Sequence, residues 1–150
     1  MILDQGFRIE LVEERLARIA KLQRLMGDQK IGALILESGS SLDYFTGVQW
    51  RRSERTTAAV IPARGEVVVV TPAFEEPSIR ETLTVGGAVR PWNEDESPFA
   101  RLVGALRDRG VTSGPIAFES TTRLFIVDGV RDASAGAYKV VSGDALVKAV

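Results

Sequence analysis

The chain has 150 residues, 45% of them hydrophobic and 26% charged, which suits one soluble globular domain able to bury a full core. It contains neither cysteine nor histidine. The first absence excludes disulfides, thiolate metal sites and cysteine nucleophiles; the second excludes Ser-His-Asp catalysis and imidazole metal sites, leaving only an all-carboxylate site open. With 19 basic and 20 acidic residues the formal net charge is −1, so no nucleic-acid footprint is present. The absence of cysteine is compatible with a reducing compartment, and a cytoplasmic location is expected.

The opening Met1-Ile2-Leu3-Asp4 lacks the basic flank and apolar run of a signal peptide. From about Arg8 to Gln29 the spacing predicts a long amphipathic helix. Val12, Leu16, Ile19, Leu22 and Met26 share one face, and Glu14 and Arg18 stand at the favourable i,i+4 order. Ile31 to Leu36 reads as a buried strand. Ser40 or Ser41 then caps a short helix through Tyr44 and Phe45, which Gly47 ends.

Thr56 to Pro62 and Glu66 to Thr71 are rich in valine and other β-branched residues. The Ala63-Arg64-Gly65 turn between them makes this the clearest hairpin in the chain, with Pro72 stopping its second strand. Phe74 to Leu83 reads as a helix, with Pro77 in its first turn and Phe74, Ile79 and Leu83 on one side. A strand follows from Ala88 to Trp92. Ser97-Pro98 starts a helix whose apolar face is Phe99, Leu102, Val103 and Leu106, and Gly110 closes it.

Pro115 to Phe118 is a further strand. Thr121 or Thr122 caps a helix through Leu124, Phe125, Val127, Val130 and Arg131. Tyr138 to Val141 is the last strand, and a final helix begins near Ser142 without a stop signal before Val150, so the natural chain is expected to continue. Strands alternating with helices, with one hairpin inserted, predict an α/β fold: a three-layer domain with a mixed β-sheet flanked by helices. One internal echo is visible. Leu36-Glu37-Ser38, followed by Leu42 and Gly47, resembles Phe118-Glu119-Ser120, followed by Leu124 and Gly129, and both are strand ends that turn into helices. No apolar run is long enough to span a bilayer; Val67 to Val70 is strand-sized.

Chemistry-bearing motifs are sparse. There is no GxGxxG, no P-loop and no GxSxG elbow, and the serines of Ser38-Gly39-Ser40-Ser41 have no histidine to activate them. Glu75-Glu76 and Glu94-Asp95-Glu96 read as solvated loops or helix starts rather than metal ligands. The unusual segment runs from Tyr44 to Arg55 and joins Tyr44, Phe45 and Trp50 to Arg51, Arg52 and Arg55. Arginine beside aromatic surface suits recognition of carboxylates, and Trp50 can supply a flat apolar wall. The same composition suits a surface loop or a subunit contact with no ligand.

At this segment the sequence resembles the creatinase/prolidase amino-terminal domains. The match runs through Arg15-Leu16, Ile31 to Leu36, Leu42-Asp43-Tyr44-Phe45-Thr46-Gly47, Ser53-Glu54-Arg55, Pro62 to Glu66, Thr71-Pro72, Glu75 and Ile116 to Glu119, so it covers nearly the whole chain. The chain departs from the family pattern at Lys30 and Gly32. The resemblance implies that residues 1–150 are a non-catalytic domain of a proline-specific metallopeptidase, an Xaa-Pro aminopeptidase or dipeptidase. Catalysis would lie in a following pita-bread domain holding two divalent metal ions, expected to be manganese. This chain would itself bind no cofactor. Its partners would be that catalytic domain, a second subunit in a homodimer and, through the whole enzyme, a peptide substrate; neither nucleic acid nor membrane is expected. By the same resemblance, Trp50, Arg51, Arg52, Arg55 and Tyr44 are candidates for a substrate entrance or dimer contact. A creatinase-like non-peptidase hydrolase, or a stand-alone binding or scaffold module of the same fold, is the alternative.

Overall fold

The computed structural model describes residues 2–150; Met1, the first residue of the stretch compared above with a signal peptide, lies outside them. Helix α1 (Ile2–Gln29) leads into strand β1 (Ala33–Glu37), helix α2 (Ser40–Thr46) and the hairpin of β2 (Ala58–Pro62) and β3 (Val68–Pro72). A 3₁₀ turn (Ala73–Glu75) and α3 (Glu76–Thr82) precede β4 (Ala88–Trp92) and α4 (Pro98–Asp108). The chain then forms β5 (Gly114–Phe118), α5 (Leu124–Ala133), β6 (Tyr138–Ser142) and α6 (Asp144–Ala149).

The six strands form one mixed sheet in the order β4-β3-β2-β1-β5-β6. Only β2 runs against the others, because it is antiparallel to both β1 and β3 while the remaining pairs are parallel. Alternation along the strands sends side chains to two cores. Leu34, Leu36, Ala59, Ile61 and Val69 pack with Ile19, Leu22 and Met26 of α1, Phe45 of α2 and Ile79 of α3. Ile35, Val60, Val68, Val70 and Ile116 pack with Leu102 and Leu106 of α4 and Ile126 and Val130 of α5. Helices therefore cover both faces, and the three-layer architecture is as the sequence pattern predicts. Because β1, β2 and β3 are buried on both faces, they read as continuous apolar runs instead of alternating ones.

Several local expectations need correction. Leu16 was expected on the buried face of α1, yet it is 46% exposed. Arg15 holds the face of Ile19, Leu22 and Met26 at this level, its side chain 14% exposed and bound to Asp43 and Thr84, and a turn of about 100° per residue sets Leu16 at the edge of that face. Phe74 does not share a buried side with Ile79; it sits on the 3₁₀ turn and is 65% exposed. Pro72 is the last residue of β3, not the residue beyond it. Thr56 and Thr57 are buried but precede β2, and their carbonyls accept from the Trp92 indole (3.0 Å) and the Ser38 amide (3.3 Å).

Neither Ser40 nor Ser41 caps α2. The cap is Gly39, which has no side chain to offer, and Ser41 Oγ donates to Glu119 instead. Neither Thr121 nor Thr122 caps α5; that position belongs to Arg123, whose backbone N–H is taken by Glu37. Ser97 does cap α4, accepting from the Ala100 N–H at 3.2 Å with Pro98 behind it, and Gly47 ends α2 in the left-handed conformation (φ 85°).

Candidate functional site

The chain leaves β1 toward α2 on one face and leaves β5 toward α5 on the other. The carboxyl ends of these adjacent parallel strands therefore part, and open α/β sheets form their crevices at such a switch point. The two glutamates of the internal echo meet there, Glu37 ending β1 and Glu119 following β5.

Glu37 is buried, its side chain only 2% exposed. A carboxylate removed from water needs charge-assisted partners. Arg123 supplies them through its backbone N–H (3.1 Å) and its Nε (2.5 Å), and Arg52 Nη2 stands 3.5 Å from the second carboxylate oxygen. Arg52 also donates to the carbonyls of Ser38 (3.2 Å) and Thr121 (2.8 Å), which joins the end of β1 to the loop before α5. Glu119 accepts from Ser41 Oγ at 2.7 Å. Together Glu37, Ser38, Ser41, Arg52, Glu119 and Thr121 line a depression of about 360 Å³.

A second, open depression of about 410 Å³ adjoins it and shares Arg52. Trp50, Arg51, Gln49 and Glu75 are among its walls. The Trp50 indole N–H donates to Glu75 Oε2 at 3.0 Å, which fixes the ring as a wall beside the 3₁₀ turn. Arg55 donates to Glu94 Oε1 at 2.7 Å and lies over the Phe74 ring, 5.5 Å from its centroid. The hydrogen bond and charge of Glu94 raise the Arg55 pKa above its ordinary value, so its cation is committed locally. Among the described residues, Arg51 is the one of these three arginines without an ion-pair partner, and it is exposed.

The structure thus brings Trp50, Arg51 and Arg52 into one depression and leaves Arg55 at its border. It separates Tyr44 from them. Tyr44 stands on α2 with Arg18 stacked 4.0 Å from its ring centre, and lines a different groove with Ser40, Ser41 and Val147. Sequence reasoning missed Glu37, Arg123 and Glu75 as members of the site. The echo around Glu37 and Glu119 was the available signal for the first; nothing local marks Arg123, which acts across 86 residues of chain.

Among the described residues no group of three or more Asp and Glu side chains is placed to hold a metal ion. Glu37, Glu94 and Glu96 are each bound to arginine and Glu75 to an indole, so these donors do not fit the dinuclear centre that the sequence resemblance places elsewhere in the protein. Among the described residues no helix is long and apolar enough to cross a membrane.

Fold and crevice define a mixed-sheet α/β domain whose charged and aromatic groups gather beyond the carboxyl ends of its strands. The chain belongs to the Creatinase/Prolidase N-terminal domain family, whose model matches residues 18–150. It is 30% identical over 135 residues to an uncharacterized peptidase of Schizosaccharomyces pombe, covering 79% of this chain and 28% of that protein. It is 30% identical over 105 residues to the probable dipeptidase PepE of Mycobacterium tuberculosis (strain H37Rv), covering 69% and 27%. The chain thus spans under a third of these curated relatives.

Among solved structures, dipeptidase PepE from Mycobacterium ulcerans superposes with a TM-score of 0.81 at 23% identity, over 93% of this chain and 37% of that one. The N-terminal domain of an Xaa-Pro dipeptidase from Lactobacillus brevis superposes at 0.73 and 18% identity, over 88% and 98%. These likenesses establish the fold; the relatives are peptidases by name, and the chain is the amino-terminal domain type of such proteins.

Proposed function

We propose that this chain is the non-catalytic amino-terminal domain of a cytoplasmic metallopeptidase acting on Xaa-Pro peptides, and that the Trp50–Arg52 depression forms part of its substrate entrance. The observation that carries the reading is Arg51: an exposed guanidinium without an ion-pair partner among the described residues, beside an indole wall that Glu75 holds in place. Such a pair suits the carboxylate and apolar body of a short peptide. Lack of histidine and cysteine supports a division of labour in which a further domain, following residue 150, holds the two divalent ions and runs the hydrolysis.

In the same reading the protein is a homodimer. Tyr44, set apart from the Trp50 depression, serves the subunit contact, and Arg55 stands at the border of the Trp50 depression, tied to Glu94. The test uses the protein extended through its downstream coding sequence and loaded with manganese. Trp50→Ala and Arg51→Ala should raise KM for an Xaa-Pro dipeptide while leaving metal content unchanged. The 150-residue chain alone should turn over nothing; turnover by it would sink the reading. Creatine hydrolysis by the extended protein, with no cleavage of Xaa-Pro dipeptides, would favour a creatinase-like enzyme instead.

A further inference from the structure

We propose that residues 48–55 form a preset wall and not a mobile lid, with Asp43 and Glu37 as the positioning residues on either side of Trp50. The proposal rests on the reading of this segment as the entrance, and it adds how the segment is held. The segment has no regular secondary structure, so side chains must supply the order that a hydrogen-bonded ladder would otherwise give.

At the near end, the Gly47 N–H donates to the Asp43 carbonyl (2.8 Å) and the Val48 N–H to Thr46 Oγ1 (3.2 Å). Arg15, reaching from α1, binds Asp43 Oδ1 with one Nη (3.2 Å) and Thr84 Oγ1 with the other (3.4 Å). The second Asp43 oxygen accepts from the Gln49 side chain at 3.3 Å, so this carboxylate ties the helix to the first residues of the segment. In the middle stands the Trp50–Glu75 bond. Beyond Trp50, Arg52 is held by the Ser38 and Thr121 carbonyls and by Glu37, which Arg123 keeps in place from behind.

The ties fall on Gln49, Trp50 and Arg52, and the residue between the last two is the exposed Arg51. Anchoring its neighbours on both sides fixes the backbone position from which Arg51 extends its side chain. A ligand then meets a segment whose backbone ordering cost was met on folding, which favours affinity without new contacts.

The experiment is backbone nitrogen-15 relaxation on the 150-residue chain, with tryptophan fluorinated at the ring as a second probe. Order parameters at 49–54 should match those of β1 and β2, about 0.8 or above, where a flexible segment falls below about 0.6. Arg52→Ala should lower them below about 0.6, and Asp43→Asn should do so at 48–50. The Trp50 fluorine signal should move toward that of free fluorotryptophan while Trp92, buried against Thr56, keeps its position. Arg51→Ala should change neither probe. Wild-type values already below about 0.6, or an Arg52→Ala segment as ordered as wild type, would overturn the proposal; the wild-type measurement decides even if a variant fails to fold. Ordered residues 49–54 with an unchanged KM in Arg51→Ala would leave the clamp standing and remove the entrance reading. A raised KM with a mobile segment would do the reverse.

Discussion

Gly47 passes Thr84 so closely that a β-carbon on it would stand 2.6 Å from the threonine hydroxyl oxygen. The same carbon would lie 3.0 Å from the Thr82 carbonyl and 3.1 Å from Arg15 Nη1. The glycine also adopts φ 85°, a conformation that a side chain disfavours. One residue thus lets α2 end, the segment after it begin, and Arg15 pass beneath. Gly47→Ala should cost about 2 to 4 kcal/mol, combining backbone strain with the clash. Urea denaturation measures it, and a loss under about 1 kcal/mol would show that Thr84 and Arg15 simply step aside.

The two arginines around Glu37 should not be equal. Arg123 makes the close contacts, and Arg52 stands at 3.5 Å with its side chain 40% exposed. Arg123→Ala removes the guanidinium and leaves the buried carboxylate with the backbone N–H of residue 123 and the more distant Arg52, and should cost about 2 to 4 kcal/mol. Arg52→Ala leaves Glu37 fully paired to Arg123 and should cost no more than about 1 to 2 kcal/mol. Equal losses in a pair of denaturation curves would contradict this ranking.

Ala135, just beyond the Ser134 cap of α5, adopts φ 52°, where a methyl group is unfavourable. The amide of Gly136 behind it already bonds back to the Arg131 carbonyl. Ala135→Gly should therefore stabilise the domain by about 0.5 to 1 kcal/mol, visible as a rise of a few degrees in Tm. A fall in Tm would mean that the entropy of the unfolded chain outweighs the relief of strain.

Asp144 opens α6 and is held to Ser120, whose side chain and then backbone N–H keep its carboxyl below the usual carboxylate range. A carboxyl depressed on folding contributes stability above its unfolded pKa, and the contribution fades as pH falls through the folded value. Between about pH 5 and pH 3, wild type should lose stability more steeply than Asp144→Asn, since asparagine can still accept the Ser120 N–H but does not titrate. Parallel stability curves over that range would remove Asp144 from the acid response.

Much of this domain is written locally. The hairpin around Gly65, the Ser97-Pro98 start of α4 and the Gly47 stop of α2 follow from backbone preferences of single residues, and each stands where its sequence predicts. The layer count follows from period and alternation, which are also local. The order of motifs from Arg15 to Glu119 was enough to point to the family. The absence of histidine and cysteine bounded the chemistry before any fold was known.

Tertiary structure alone decided which of the many charges matter. Glu37 and Arg123 are 86 positions apart, and only the parallel pairing of β1 with β5 brings the loops beyond them together. Leu16 and Ile19 carry similar helical signals, yet one is exposed and the other buried, because it is Arg15 that α1 turns toward Asp43 and Thr84. Tyr44 and Trp50 share one motif and face different grooves, because α2 ends between them in a left-handed turn. Periodicity reports the preferences of neighbouring residues, whereas burial and pairing depend on where distant strands end, and that is settled only when the sheet closes up.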